Sequence, residues 1–330
     1  MAVFFYLPYY LAMIALVVIL AVLLALLIAL LLISRYLCLF EIKRKEVPLS
    51  GDKFVPEKEK SGKLSAAENQ AMLDERVKEL DKLPSEACSI VSNDGLRLAG
   101  LLYPAPSHRY AISVHGYQGA KEQMKEYASY FREWGCNVLL PDDRAHGESE
   151  GKYITMGWKD REDVLQWIDW IIARDPDAEI FLHGVSMGGA TVMMVSGEKL
   201  PGNVKAIVED CGYSSVWAIN ADEIKEIAHL PLYPFAPVVD LFFKHYVGVS
   251  GKKASSLKAV AASEVPMLFI HGDNDHFVRY SMLEDNYNAK TKGYKEKLSV
   301  PGASHAQSHL IAPDLYFSTI KSFLAKAGLD

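Results

Sequence analysis

The stretch LHGVSMGG, at residues 182–189, decides the fold of this chain. The short run before it, residues 179–182, is typical of a buried strand, and the apolar run after it, residues 190–195, is typical of the start of a helix. Strand, tight turn and helix, in that order, form the context that the pattern G-x-S-x-G requires. The stretch therefore predicts a sharp strand-to-helix turn with Ser186 at its tip.

The pattern requires glycine at two positions, Gly184 and Gly188, for a steric reason. A serine at such a turn has a strained backbone, so the positions two residues away on each side must lack bulky side chains. The turn also places Ser186 at a helix N-terminus, where the N–H group of Met187 can stabilise a developing oxyanion. The alternative is a glycine-rich turn with an ordinary surface serine, and the bare pattern does not separate the two.

Composition narrows the class of protein. The chain has 330 residues, half of them hydrophobic, which suffices for one large α/β domain or two ordinary ones. A net charge of −6, with no basic stripe, argues against nucleic acid as a partner. The cysteines, Cys38, Cys88, Cys136 and Cys211, have neither C-x-x-C spacing nor paired histidines, so the sequence suggests no zinc site and no redox dithiol.

The N-terminus is strongly apolar. Residues 1–34 carry no charge, and residues 11–33 form an unbroken apolar run that would span roughly 35 Å as a helix. A signal peptide would have a shorter apolar region and a basic start. We therefore expect residues 1–40 to form a single-pass transmembrane anchor. Lys and Arg follow the run but do not precede it, which predicts that the rest of the chain lies in the cytoplasm.

The next segment, residues 41–84, is predicted to be a linker followed by an amphipathic helix. Residues 41–63 are rich in Lys and Glu and contain several Pro and Gly residues, which is typical of a solvated linker. Ser65 and Glu68 then form a capping box that opens a helix through about Leu80.

Residues 85–330 are predicted to form one α/β domain. Asn-Asp-Gly at residues 93–95, between two apolar runs, predicts an antiparallel hairpin at the start of the sheet. Strands and helices then alternate, which predicts a mainly parallel, doubly wound sheet. The further strands are expected at residues 111–115, 138–141, 180–184, 204–209, 267–271 and 297–300, and the main helices at residues 123–134, 158–174, 187–198 and 313–327.

The segment at about 213–260 interrupts this alternation. It carries Pro231, Pro234 and Pro237 among apolar residues and falls between two predicted core strands. This composition favours an inserted lid. The alternative is an ordinary crossover helix with a long loop.

Further motifs follow predicted strands, at the edge where open α/β sheets bind ligands. After the first of these strands, HGYQG at residues 115–119 could direct the N–H of Tyr117 to the same point as that of Met187, which would complete an oxyanion hole. A plain turn is the alternative. Two more motifs, HGDNDHFV at residues 271–278 and PGASH at residues 301–305, supply an acid and a histidine in the chain order Ser, Asp, His.

The motif HGDNDHFV offers a choice of carboxylate. Asp273 lies in Gly-Asp-Asn, which has turn composition, and an aspartate there can cap its own backbone. Asp275 comes after that turn, where its carboxylate could reach the imidazole of His305. The pattern therefore favours Asp275 as the acid of the site.

With these motifs together, the chain resembles the α/β-hydrolases, and more narrowly their serine aminopeptidase and Bem46-like branch, from about residue 85 to the C-terminus. DDRAHGES at residues 142–149 is similar to the D-x-R-G-H-G-x-S turn of that branch, with Ala145 in place of the usual Gly. Arg279 stands where a Pro commonly follows the acid-bearing motif.

The resemblance implies a role for each site residue. Ser186 would be the nucleophile, His305 the general base and Asp275 the orienting acid, with the backbone N–H groups of Tyr117 and Met187 as the oxyanion hole. Such an acyl-enzyme route requires no metal and no organic cofactor.

Three functions follow as hypotheses. The leading one is a membrane-anchored serine hydrolase that cleaves a carboxylic ester, with a small-molecule or lipid-like substrate. A hydrolase of amides, peptides or thioesters with the same triad is the second. The third is a binding protein on a hydrolase fold, which an intact triad disfavours.

Overall fold

The structure is a computed structural model that describes residues 3–44 and 66–329. The predicted linker from residue 45 to 63 and Ser65 of the capping box lie outside the described residues. The helices are α1 (Val3–Ile42), α2 (Ala66–Leu80), α3 (Lys125–Glu133), α4 (Asp160–Arg174), α5 (Met187–Val195), α6 (Val216–Asp222), α7 (Leu232–Val247), α8 (Ser256–Ala262), α9 (Ser281–Ala289), α10 (Ser308–Ile311) and α11 (Pro313–Lys326).

The described strands form one sheet in the order β1-β2-β4-β3-β5-β6-β7-β8. They are β1 (Glu86–Val91), β2 (Arg97–Tyr103), β3 (Arg109–Val114), β4 (Asn137–Pro141), β5 (Glu179–Val185), β6 (Val204–Asp210), β7 (Met267–Gly272) and β8 (Lys295–Val300). β2 pairs antiparallel with β1 and with β4, and every other pairing is parallel. The predicted fold class, a mainly parallel sheet with an N-terminal antiparallel hairpin, is confirmed.

Helices cover both faces of the sheet because the central strands are apolar on both sides. On one face, Phe131 of α3 and Phe323 of α11 pack in a core with Leu73 of α2. On the other face, Trp167 of α4 and Val192 of α5 pack in a second core. The sheet is therefore doubly wound, and its loops at the carboxyl ends of the strands remain free to carry a site.

The predicted lid region lies between β6 and β7. It contains α6, a π-helical turn at Glu223–Ile227, α7 and α8. A third core joins this helical insertion to the end of α1, where Cys38 and Ile42 are fully buried together with Val239 and Phe243 of α7. The end of the N-terminal helix is thus packed against the inserted segment.

Two parts of α1 have different surroundings. Residues 9–33 are exposed almost throughout, and this part is long and apolar enough to cross a membrane, which makes it a candidate anchor. A signal sequence would pass the same test of length and composition. The helix ends at Ile42, two residues past the predicted anchor, and the Arg44 guanidinium then donates to the carbonyls of Gly147 and Ser149 at 2.7 and 2.6 Å.

Candidate active site

The turn between β5 and α5 places Ser186 at the centre of the sheet's carboxyl edge. Ser186 has φ 58° and ψ −115°, a strained conformation for a non-glycine residue. A Cβ at Gly184 would lie 2.8 Å from the backbone N of Gly189, and a Cβ at Gly188 would lie 2.7 Å from the carbonyl oxygen of His115. The glycines of G-x-S-x-G are therefore required by close backbone approach, as the sequence predicts.

Three of the predicted site residues form one hydrogen-bonded chain. The Oγ of Ser186 lies 2.8 Å from Nε2 of His305, and Nδ1 of His305 lies 2.7 Å from Oδ2 of Asp275. The side chain of Asp275 is fully buried, whereas that of His305 is 22% exposed. This arrangement can deprotonate a serine hydroxyl and hold the resulting imidazolium against a carboxylate.

The carboxylate of Asp275 is held from several directions. Its Oδ1 accepts from the backbone N–H groups of Phe277 and Val278 at 2.9 and 3.0 Å, and its Oδ2 also lies 3.2 Å from Nε2 of His271. Burial alone would raise the pKa of Asp275, but the hydrogen bonds from His271 and His305 lower it to about 2. The group is therefore ionised at neutral pH.

The neighbouring carboxylate, that of Asp273, lies in the turn and not against His305. Asp273 is exposed, and its Oδ1 accepts from the backbone N–H of Gly302 at 2.7 Å, which ties the loop after β7 to the loop after β8. Of the two aspartates, the structure brings Asp275 to His305 and leaves Asp273 in the turn.

The loop after β3 lies beside Ser186. Its turn is closed by a 3.0 Å hydrogen bond from the N–H of Gly119 to the carbonyl of Gly116. A Cβ at Gly116 would lie 3.3 Å from Cβ of Ser186, so the residue directly before Tyr117 adjoins the serine. This position suits the predicted pairing of the Tyr117 and Met187 N–H groups as oxyanion donors.

A buried histidine that sequence analysis did not assign supports this loop. His146 of the DDRAHGES turn donates from Nδ1 to the carbonyl of Arg144 at 3.0 Å, so its Nε2 is free to accept from the N–H of Gln118 at 3.1 Å. Burial, together with the neighbouring His115, lowers the pKa of His146 to about 3. The ring is therefore a neutral acceptor that fixes the loop following Tyr117.

Cys211 is a further potential metal ligand near the site. The ligand atoms of Cys211, Asp275 and His305 lie within 4.8 Å of one another. Burial raises the pKa of the Cys211 thiol well above its ordinary value, and the carboxylate and imidazole already bond to each other. Because His305 already bonds to both Ser186 and Asp275, the group suits a serine triad better than a metal centre.

A mainly apolar cavity of about 410 Å³ opens next to the site. It is bordered by Tyr117 on one side and by Phe277, whose ring centroid lies 5.0 Å from that of His305. The end of α1 and the π-helical turn of the insertion supply the other walls. The cavity can hold an apolar group between the end of α1, Tyr117 and Phe277.

The sequence of this chain is similar to those of several known proteins. A family model described as Hydrolase_4: Serine aminopeptidase, S33, matches residues 105–237, a range that includes Ser186 and ends before Asp275 and His305. The uncharacterized protein YqkD of Bacillus subtilis (strain 168) is 27% identical over 214 residues, which cover 64% of this chain and 70% of that protein.

Two further similarities concern proteins with a named activity. The lysophosphatidylserine lipase ABHD12 of Mus musculus is 24% identical over 190 residues, which cover 56% of this chain and 46% of that protein. The structure of the Pyrococcus furiosus esterase Pf2001 matches this one with a TM-score of 0.63 and a sequence identity of 24%. The match covers 84% of this chain and 99% of that one. The chain is therefore a hydrolase of the α/β-hydrolase superfamily, with similarity to its serine aminopeptidase branch.

Proposed function

We propose that this chain is a membrane-anchored serine hydrolase that cleaves a carboxylic ester through an acyl-enzyme. The observation that carries the proposal is the hydrogen-bonded chain from Ser186 through His305 to Asp275. Ser186 is the nucleophile, His305 the general base and Asp275 the acid that orients the imidazole. The backbone N–H groups of Tyr117 and Met187 stabilise the oxyanion.

In the first half of the reaction, Oγ of Ser186 attacks the ester carbonyl while Nε2 of His305 accepts the hydroxyl proton. The carbonyl oxygen becomes an oxyanion in the tetrahedral intermediate. When the C–O bond to the leaving group breaks, His305 gives the same proton to the departing alcohol. The products of this step are a free alcohol and an acyl group on Ser186.

In the second half, water replaces the alcohol. His305 accepts a proton from the water as its oxygen attacks the acyl carbonyl, and the second tetrahedral intermediate collapses with return of that proton to Oγ of Ser186. The carboxylic acid leaves and the resting hydrogen bond re-forms. Throughout, Asp275 stays ionised because its pKa is about 2, so it stabilises each transient imidazolium.

The walls of the cavity favour an ester with an apolar group over a charged substrate, because apolar side chains dominate them. One observation favours the second candidate, an aminopeptidase: Glu41 and Glu223 also line this cavity. Burial and the neighbouring Glu223 raise the pKa of Glu41 well above its ordinary value, and a peptide's terminal ammonium bound between the two groups would favour their ionised forms. Comparison of p-nitrophenyl butyrate with alanine p-nitroanilide separates the two. The proposal requires the larger kcat/KM on the ester.

Anchoring through residues 11–33 and a cytoplasmic domain belong to the same proposal. The support is the exposed apolar surface of α1 and the position of Arg35, Lys43 and Arg44 after it. A reporter enzyme that works only inside the cell, fused to the C-terminus, should be active. Activity of an outside-only reporter at the same position would reverse the orientation.

Labelling of the full-length protein by a fluorophosphonate tests the proposed chemistry. The probe should modify Ser186 and abolish ester hydrolysis, and Ser186→Ala should neither take up the probe nor hydrolyse the ester. Ser196→Ala, which changes a buried serine just past the end of α5, is the matched control and should label normally. Full labelling of Ser186→Ala would show that the nucleophile is another residue.

A further inference from the structure

We propose that the last turns of α1 are one wall of the substrate site, and that this site takes the single apolar chain of an amphiphilic ester directly from the membrane. The proposal deepens the proposed ester hydrolysis and rests on it. It makes the anchor a part of the binding machinery as well as a tether.

The cavity connects α1 with the reacting groups. Tyr36, Leu37 and Phe40 of α1 line it, and so do Phe277 and Tyr117. The ring of Phe277 lies beside that of His305, and Tyr117 directly follows Gly116, which adjoins Ser186. Tyr36 and Phe40 are four residues apart and Leu37 lies between them, so the three share one face of the helix. An acyl group bound to Ser186 would therefore have a helical wall within reach.

This wall is fixed in place by the opposite side of the same helix turns. Cys38 and Ile42 are fully buried in the core of the insertion, and Arg35 donates to the hydroxyl of Tyr246 on α7 at 3.0 Å. The bond from the Tyr117 hydroxyl to the carbonyl of Glu41, 2.6 Å long, joins α1 to the loop beside Ser186. The end of α1 is thus packed on both the insertion and the site.

The opening of the cavity carries large apolar side chains that water covers poorly. Tyr36 is 65% exposed, Phe40 58%, Ile227 61% and Phe277 41%. All four line this one cavity. Exposed apolar side chains gathered at a single opening indicate contact with an apolar phase rather than with bulk water.

The position along α1 shows which apolar phase this is. The apolar run ends at Ile33, so Tyr36 and Phe40 lie roughly 5 and 10 Å further along the helix axis. The headgroup region of a bilayer extends about 5–7 Å beyond the hydrocarbon on each side. With residues 11–33 in the hydrocarbon, Tyr36 lies at headgroup depth, where aromatic rings are favoured, and Phe40 lies just beyond the headgroups.

The volume indicates the class of substrate. About 410 Å³ is near the lower end for ligand cavities, which suits one acyl chain rather than two. A single-chain amphiphile resting in the bilayer has its ester at the headgroup level and its chain below. Lateral entry along α1 would bring the carbonyl to Ser186 without moving the chain through water.

The test measures chain-length preference for the full-length protein in phosphatidylcholine vesicles. Substrates are p-nitrophenyl esters from acetate to palmitate, and the readout is the ratio of kcat/KM for laurate to kcat/KM for acetate. Leu37→Trp fills the cavity from α1, and Ala228→Trp fills it from the insertion. Each should lower the ratio by at least about tenfold, because several methylene groups of the laurate chain can no longer be buried in the cavity.

The matched control is Leu32→Trp, which changes an exposed residue of α1 outside the cavity and should leave the ratio at the wild-type value. Circular dichroism establishes that each variant is folded. A wild-type ratio in both cavity-filling variants, or an equal fall in Leu32→Trp, would overturn the proposal.

A binding measurement separates this proposal from the proposed hydrolysis. Ser186→Ala protein in the same vesicles is irradiated with palmitic acid that carries a diazirine on its chain. Label should appear on the lid segment 224–228 and should be lost when Leu37→Trp is added. Labelling with no ester turnover in the wild-type protein would refute hydrolysis alone, whereas turnover without label on 224–228 would refute the chain site alone.

Discussion

The hydroxyl of Tyr117 donates a 2.6 Å hydrogen bond to the backbone carbonyl of Glu41. One of these residues belongs to the loop beside the proposed nucleophile, and the other belongs to the last turn of the N-terminal helix. A single bond thus joins the candidate oxyanion hole to the candidate membrane anchor.

This bond gives the first prediction. Tyr117→Phe keeps the backbone N–H but leaves the Glu41 carbonyl without this partner, so ester kcat should fall by about two- to tenfold, in line with one lost hydrogen bond. Tyr246→Phe is the control, since it removes the bond from Arg35 to α7 without touching the loop, and its kcat should stay at the wild-type value. Equal effects on kcat in the two variants would show that the contact only stabilises the fold.

The second prediction separates the two aspartates after β7. Asp275→Asn removes the charge that faces Nδ1 of His305, and turnover should fall by about 10⁴-fold if this triad behaves like the serine-protease template. Asp273→Asn alters a turn that contacts Gly302 and should act mainly on stability. Kinetics on both purified variants, with circular dichroism as a folding control, decide the assignment. A larger turnover loss in Asp273→Asn would mean that the wrong acid is named.

The third prediction concerns the turn between β5 and α5. Gly188→Ala would place a Cβ 2.7 Å from the backbone carbonyl oxygen of His115, which cannot move without shifting β3. We expect a destabilisation of at least about 1–3 kcal/mol, measured by urea denaturation, with loss of ester turnover. At Gly202 a Cβ would meet nothing within 4 Å, so Gly202→Ala should change stability by less than about 0.5 kcal/mol. Wild-type stability in Gly188→Ala would refute the close approach.

The fourth prediction is a pH dependence of stability at His183 of β5. Burial, followed by the charge of His309, lowers the pKa of His183 to about 3, whereas an unfolded histidine has a pKa of about 6.5. The unfolded chain therefore binds the extra proton first, so this contribution is complete above about pH 6.5 and is lost as the pH falls towards 3. The melting temperature of His183→Gln should fall less steeply between pH 7 and 4.5 than that of the wild type. Parallel curves would contradict the assignment.

Much of the fold could be predicted because the local signals were strong. The eight predicted strand positions each coincide with an observed strand, since apolar runs bounded by turn residues mark buried strands well. The pattern G-x-S-x-G likewise predicts that Gly184 and Gly188 have no room for a Cβ, because a tight turn is a local property of the chain. Helix α9 was not predicted, since Ser281–Ala289 is largely polar and has weak periodicity.

The features that sequence did not reveal depend on contacts between distant residues. Cys38 and Ile42 follow the apolar run, and nothing in the sequence shows that they pack on the insertion. The support of Gln118 by His146 likewise appears only once the loops after β3 and β4 meet. The catalytic roles of Ser186 and its partners remain predictions that the following measurement addresses.

The most direct test of the central claim is detection of the acyl-enzyme. Full-length protein is mixed with p-nitrophenyl butyrate, quenched in acid within the first turnovers and analysed by intact-mass and peptide mass spectrometry. If Ser186 is the nucleophile, a butyryl group should form on Ser186 with a burst of p-nitrophenol and should be absent from Ser186→Ala. Unchanged ester turnover in Ser186→Ala, or a butyryl group on another residue of the wild-type protein, would contradict it.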